Sequence, residues 1–279
     1  MRAYSTGPPP GYTGGFSEPN CTACHSTFAV NSGDGSVSIA VPATYASGTT
    51  YTIIVTVSDP AQMRWGFELS ARTPSGLQAG TLVAGPDGFT QRLADIGSVQ
   101  FIGHTSDGTR LGTTGGVNFE LQWIAPDVST GLVIFNAAGN AANGNLNNTG
   151  DRIYTTSATS QPEAAAPTIQ LSPTWLTFTA AAGGPNPANK GVSISNSGGG
   201  TLNWTATPET SSGGSWLGVA PGAGTGAATL IVSASIGGLA AGVYEGTITA
   251  AAPGATNTPQ MVAVTLNVAA RRRGQLISD

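Results

Sequence analysis

Two cysteines and two histidines supply all of the thiol and imidazole chemistry in this 279-residue chain, and three of the four fall within five positions. The run is Cys21-Thr22-Ala23-Cys24-His25. This C-x-x-C-H pattern reads as the attachment site of a c-type haem. Two thiols three residues apart on one turn can reach the two vinyl groups of a single porphyrin. The histidine that follows then lies beneath the iron as an axial ligand. The expectation is one covalent haem c, with Cys21 and Cys24 as attachment points and His25 as the proximal metal ligand. His104 is the first candidate for the distal ligand, because Gln100-Phe101-Ile102-Gly103-His104-Thr105-Ser106 reads as a strand end beside a turn. Met63 is the next candidate, and Met261 the last because it falls in the other half of the chain. Ligation by two histidines favours low-potential electron transfer, whereas an open sixth position admits ligand binding or peroxidase-like chemistry.

The same residues have other uses. Cys21 and Cys24 can close a small disulfide in an exported protein. A thioredoxin-like redox pair needs a βαβ setting, which the sequence lacks. Cys21, Cys24, His25 and His104 amount to a full zinc ligand count. Adjacent Cys24 and His25 would then have to turn onto one ion, and the usual paired spacings are missing. Residues 136–151 form an Asn/Gly-rich stretch whose amides can line a haem edge or coordinate a cation, or simply make a surface loop that tolerates left-handed backbone. No Ser–His–Asp triad, Walker loop, Rossmann fingerprint or H-E-x-x-H is present.

Turns and strands must position these groups, because the composition leaves little material for helices. Only 9% of residues are charged and 40 are glycine, against roughly 25% charged in an ordinary domain. The formal net charge is −4, and the one basic run is Arg271-Arg272-Arg273. A nucleic-acid partner is therefore not expected. No stretch approaches the roughly 20 apolar residues of a membrane span. Lysine occurs once, at Lys190, so Thr, Ser, Asn and Gly must cover the surface, as in exported bacterial proteins. Met1-Arg2-Ala3-Tyr4-Ser5 has no apolar signal core, and the expectation is a mature or truncated form.

Period-2 alternation marks the strands. Tyr51, Ile53, Val55 and Val57 share one face. So do Trp65, Phe67, Leu69 and Ala71, with Arg64, Glu68, Ser70 and Arg72 expected on the water side. Val117, Phe119, Leu121 and Trp123 repeat the pattern, and Val133 and Phe135 continue it. The fold class is all-β, with two β-sandwich domains. Residues 1–156 form the first, opening with a lead-in to Pro10 expected to be extended and poorly ordered. Residues 157–168 read as a Pro/Ala linker. Residues 169–268 make an immunoglobulin-sized second sandwich, with strands expected at 176–179, 191–196, 201–207, 228–235, 243–250 and 260–268. A polar tail occupies 269–279.

Several segments together carry a resemblance. Gly11-Tyr12-Thr13-Gly14-Gly15 and Asn20-Cys21-Thr22-Ala23-Cys24-His25 open it. Met63-Arg64-Trp65-Gly66-Phe67-Glu68-Leu69-Ser70-Ala71-Arg72, Trp123-Ile124-Ala125-Pro126, Gly139-Asn140-Ala141-Ala142-Asn143-Gly144 and Gly150-Asp151-Arg152-Ile153-Tyr154 continue it. Residues 7–156 thereby resemble the bacterial choice-of-anchor V domain, a reeler-like β-sandwich. The resemblance implies an exported, surface-associated protein, and the C-x-x-C-H run a haem-binding version of it. His104-Thr105 also fits that family's pattern, which implies the distal role for His104. No hydrophobic anchor is visible in residues 269–279. The second half is similar to BACON-type immunoglobulin-like domains, through Leu171-Ser172-Pro173-Thr174, residues 192–200, Trp216-Leu217 and residues 242–248. Such domains act as spacers or as adhesion and carbohydrate-binding modules, which implies a glycan contact.

The functional expectation is an exported monohaem c-type cytochrome at the cell surface, an electron carrier and not a catalyst. It would pass single electrons to redox partner proteins or to neighbouring copies in a homo-oligomer or filament. The alternative is a non-catalytic adhesion or matrix protein with Cys21–Cys24 as a disulfide.

Overall fold

The computed structural model describes residues 4–271. The chain divides into two compact units, residues 1–163 and 164–279. Both are all-β and sandwich-like, as the alternation predicts.

The first unit contains β1 (Ser36–Ala40), β2 (Thr44–Tyr45), β3 (Thr50–Asp59), β4 (Arg64–Arg72), β5 (Thr81–Ala84), β6 (Thr90–Arg92), β7 (Ile102–His104), β8 (Gly115–Ile124), β9 (Val133–Ala142) and β10 (Arg152–Pro162). One sheet runs β1-β3-β8-β5 and the other β2-β10-β9-β4-β7-β6. Every pairing is antiparallel except the short one between β2 and β10. Aromatic side chains join the sheets across the core. Phe67 of β4 stacks on Phe119 of β8 with ring centroids 4.4 Å apart. Trp123 of β8 meets the ring of Phe135 of β9 edge-on at 5.0 Å. Such contacts add about 0.5–1.5 kcal/mol each to the area they bury.

The water side expected for β4 is not in water. Glu68 and Ser70 are fully buried and Arg72 nearly so, because residues 4–20 lie across this face. Gly11 and Tyr12 donate their backbone N–H groups to the Glu68 carboxylate at 2.6 and 3.1 Å. Glu18 pairs with the Arg72 guanidinium, which also lies 5.1 Å from the Phe16 ring centroid. A strand whose two faces are both covered should read as continuously apolar, and β4 escapes that pattern because its second face carries ion pairs and hydrogen bonds. The lead-in differs from expectation for the same reason. Pro8 packs where Gly103 of β7 has no side chain: a Cβ there would stand 2.8 Å from the proline ring. Gln91 donates to the carbonyls of both Thr6 and His104.

β10 extends through Pro162, six residues into the segment read as linker. Residues Ser157–Ser160 pair with β9, and Gln161 and Pro162 lie parallel to β2. Proline tolerates this place because β2 pairs with it for only two residues at the sheet edge.

The second unit contains β11 (Ile169–Ser172), β12 (Trp175–Ala181), β13 (Lys190–Asn196), β14 (Asn203–Thr210), β15 (Leu217–Ala220), β16 (Ala223–Thr225), β17 (Ala228–Ala234), β18 (Gly242–Ala251) and β19 (Gln260–Ala269). Its sheets run β11-β13-β17-β15 and β12-β19-β18-β14-β16. Val262, Val264, Leu266 and Val268 face a core shared with Phe178, Trp204 and Trp216. The strands β11, β15 and β16 have no alternating signal long enough to read. Most of the expected polar tail, residues 272–279, lies outside the described residues.

Gly15 tests how closely the covering segment is seated. A Cβ built on it would stand 2.3 Å from Asn136 Cγ on β9. Gly15→Ala should cost about 1–3 kcal/mol, read as a lowered midpoint in chemical denaturation. Gly88→Ala, with nothing within 4 Å, should cost only its left-handed backbone, about 1 kcal/mol.

Candidate functional site

The C-x-x-C-H run forms a 3-10 turn. Asn20 accepts from the Thr22 N–H at 2.9 Å and starts it over Cys21–Ala23. The Cys21 carbonyl then accepts from the backbone of Cys24 at 3.2 Å and of His25 at 2.9 Å. Cys21, Cys24 and His25 consequently face one cleft, and His104, at the end of β7, lines the same cleft. All four residues selected by type and spacing are brought together, although the chain between His25 and His104 is 78 residues long. The walls include Tyr12, Trp65 and Phe67.

His25 is buried and its Nδ1 lies 2.6 Å from Asp151 Oδ2. Asp151, 1% exposed, uses its other oxygen to accept from the Asn143 N–H at 3.1 Å. A carboxylate on Nδ1 holds the ring proton there and leaves the Nε2 lone pair free to ligate, the orientation that metal-bound histidines need. Asn140 Nδ2 stands 3.3 Å from that Nε2.

His104 is held differently. Its Nδ1 accepts from the Phe67 N–H at 3.2 Å and its Nε2 faces the Tyr4 carbonyl at 3.1 Å, so the proton sits on Nε2. Burial pushes its pKa below the ordinary 6.5, so the ring stays neutral. Gly66 makes room for it: a Cβ there would stand 2.8 Å from His104 Cε1. For Nε2 to ligate a metal, its proton must pass to Nδ1, where the Phe67 carbonyl waits at 3.4 Å, and the Tyr4 carbonyl must give way.

Met63 is 40% exposed and does not line the cleft, and Met261 belongs to the second unit. The Asn-rich stretch serves the site in part. Asn148 donates to the Cys24 carbonyl at 2.6 Å, and Asn140 and Asn147 line the cleft.

The electrostatics narrow the chemistry. Burial, and then the nearby Glu68 carboxylate, push the Cys21 thiol up to about 12. A thioredoxin-like cysteine needs the opposite, a thiolate stabilised near neutral pH. Both cysteines carry free thiols. Among the described residues no three His, Cys, Asp or Glu side chains are grouped closely enough to hold a metal ion. A porphyrin asks less of the donor set: two thiols on one turn, one oriented imidazole and a second across the cleft. The residues present fit it.

Asp151, Glu68 and Arg64 were not singled out by motif or spacing. The available signal was the isolated charge in the otherwise apolar or small-residue run Trp65-Gly66-Phe67-Glu68-Leu69-Ser70-Ala71, and the Gly-Asp step just before a strand.

No protein-family model and no curated protein matches the chain. Among solved structures, the cohesin module from Clostridium perfringens ATCC13124 family 33 glycoside hydrolase is similar at 13% identity and a TM-score of 0.34. It covers 46% of this chain and 96% of its own. The C-terminal domain of the Streptococcus agalactiae AgI/II polypeptide BspA is similar at 8% identity and a TM-score of 0.33, covering 81% of this chain and 95% of its own. No helix among the described residues is long and apolar enough to cross a membrane.

Burial also pushes Glu68 up to about 7, against the pull of the Gly11 and Tyr12 N–H groups. The folded protein therefore holds this proton to a higher pH than the unfolded chain, which releases it near 4.5. The associated stability is full below about pH 4.5 and is lost as pH rises through 7, by at most on the order of 3 kcal/mol. His104 acts in the opposite sense below 6.5, so the comparison of variants isolates Glu68. Glu68→Gln keeps an acceptor for both amides and should remove the loss of melting temperature between pH 6.5 and 8. An equal loss in the variant would exclude Glu68 as its source.

Proposed function

We propose that this chain is an exported, monohaem c-type electron carrier. The observation that supports it is the shared cleft: the C-x-x-C-H turn and the second histidine of the chain line one cavity, and His25 is oriented there by a buried carboxylate. In this reading Cys21 and Cys24 would hold the porphyrin covalently through their thiols. His25 would hold the iron through Nε2 while Asp151 keeps the Nδ1 proton and raises the basicity of the ring. His104, at the end of β7, would be the second histidine to hold it. When bound, the group supplies one-electron cycling of its iron. Trp65 and Phe67 line the cleft and would help to exclude water from the bound group. No general acid, base or nucleophile is needed, which agrees with an electron-transfer role.

Electron transfer through one haem requires close approach, so the partner is a redox protein, or a neighbouring copy, that docks at the cleft. The composition supports a location outside the cytoplasm, where C-x-x-C-H sites are matured.

The deciding experiment expresses the chain with an export signal and c-type maturation machinery, followed by a reduced-minus-oxidised spectrum and a pyridine haemochrome assay after denaturation. A covalently retained haem c is expected. A colourless protein from a host that matures other cytochromes would overturn the reading in favour of a non-catalytic surface module. The axial ligands separate in the same assay. His25→Ala should abolish the low-spin spectrum. His104→Ala should leave the haem attached but open the sixth position, seen as carbon monoxide binding that the parent lacks. Unchanged spectra and carbon monoxide binding in both parent and His104→Ala would remove His104 from the ligand set.

A further inference from the structure

Arg64 is the one guanidinium of the first unit, among the described residues, with neither a hydrogen bond nor an aromatic ring to meet it. Arg72 pairs with Glu18. Arg92 pairs with Asp95 through both carboxylate oxygens at 2.8 and 2.9 Å. Arg110 donates to the Asn118 carbonyl and lies 4.2 Å from the Phe89 ring centroid. Arg152 donates to the Ser32 carbonyl at 3.0 Å and lies 4.1 Å from the Phe28 centroid. Arg64 has no such partner among the described residues, is half-buried, and lines the cleft of Cys21, Cys24, His25 and His104.

Its place is set by the sheet. Arg64 opens β4 and its backbone pairs with Ala142 of β9, itself a residue of the cleft wall. Two residues on, Gly66 accommodates the His104 ring. Asp151 is already committed to His25 and Glu68 to the Gly11 and Tyr12 amides. Among the described residues the cleft therefore holds a half-buried cation with no hydrogen-bonded anion of its own, a place that an anion on a bound group would complete. A planar, five-donor guanidinium is suited to a carboxylate, which it grips through two parallel hydrogen bonds.

We propose that Arg64 is the counter-cation for a carboxylate of the group bound in this cleft, a haem propionate. The inference rests on the haem reading above and assigns a positioning residue that neither motif nor spacing marks. Arg64 would help to orient the bound group in the cleft and hold its carboxylate ionised. The positive charge would also favour the reduced iron.

The test compares the matured parent with Arg64→Gln and Arg64→Lys in haem content, midpoint potential and the pH dependence of that potential. Arg64→Gln should shift the reduction equilibrium toward the oxidised form by roughly tenfold, since a fixed charge near the iron is removed. Its potential should also acquire a pH dependence between about pH 4 and 6, where a freed carboxyl titrates. Arg64→Lys should recover most of the shift. A haem-loaded Arg64→Gln whose potential and pH profile match the parent overturns the proposal while leaving the haem reading intact. If Arg64→Gln folds by circular dichroism but carries less haem, recovery in Arg64→Lys supports the proposal, and equal loss in both variants overturns it. A colourless parent overturns the haem reading itself, and this inference with it.

Discussion

A carboxylate buried on the face of a sheet must find donors, and Glu68 finds them in the backbone of the segment that carries the two cysteines. The N–H groups of Gly11 and Tyr12 close on its Oε1, and a few residues later Glu18 closes on Arg72, four positions along the same strand. These contacts seat an otherwise irregular segment on the outer face of β4 and β9. Leaving buried charges unpaired costs several kcal/mol, so the segment can leave this face only by exposing both pairs to water together. The cleft is the space enclosed between the seated segment, the end of β7 and the loop before β10.

That arrangement explains why the two histidines behave differently in one cavity. His25 sits on the turn, beside a carboxylate that fixes its proton on Nδ1. His104 sits at a strand end among backbone groups, and the carbonyl of Tyr4 takes its Nε2 proton. For the first to ligate, the Asn140 amide must leave Nε2; for the second, the proton must move to Nδ1, so that the ring gives up the Phe67 N–H as well as the Tyr4 carbonyl. Burial also explains the thiol. Cys21 in the folded cleft is a poor nucleophile, because burial and the Glu68 carboxylate disfavour its thiolate.

Glycine contributes by omission at two points where backbone or ring must come close. Gly66 leaves room for the His104 ring, and Gly15 leaves room for Asn136 beneath the covering segment. Neither position requires a positive φ, so the requirement is steric and not conformational. Much of the glycine content that reads as turn material is therefore also packing material.

The alternation of Val55, Phe119, Trp123 or Val264 with polar neighbours was enough to establish an all-β chain of two sandwiches, because a two-residue period is a local property and a buried face must be apolar along its whole length. The shared placement of Cys21, Cys24 and His25 was legible for a similar reason: they lie within a single turn, and their spacing is their geometry. Residues far apart in the chain had no such signature. That β4 is covered on both faces, that Asp151 orients His25, that β10 runs on to Pro162 and that Arg64 lines the same cleft as His25 and His104 all depend on contacts across tens of residues. Only the folded chain decided them, because buried charge is settled by which partners the packing brings within hydrogen-bond reach, and no local pattern encodes that.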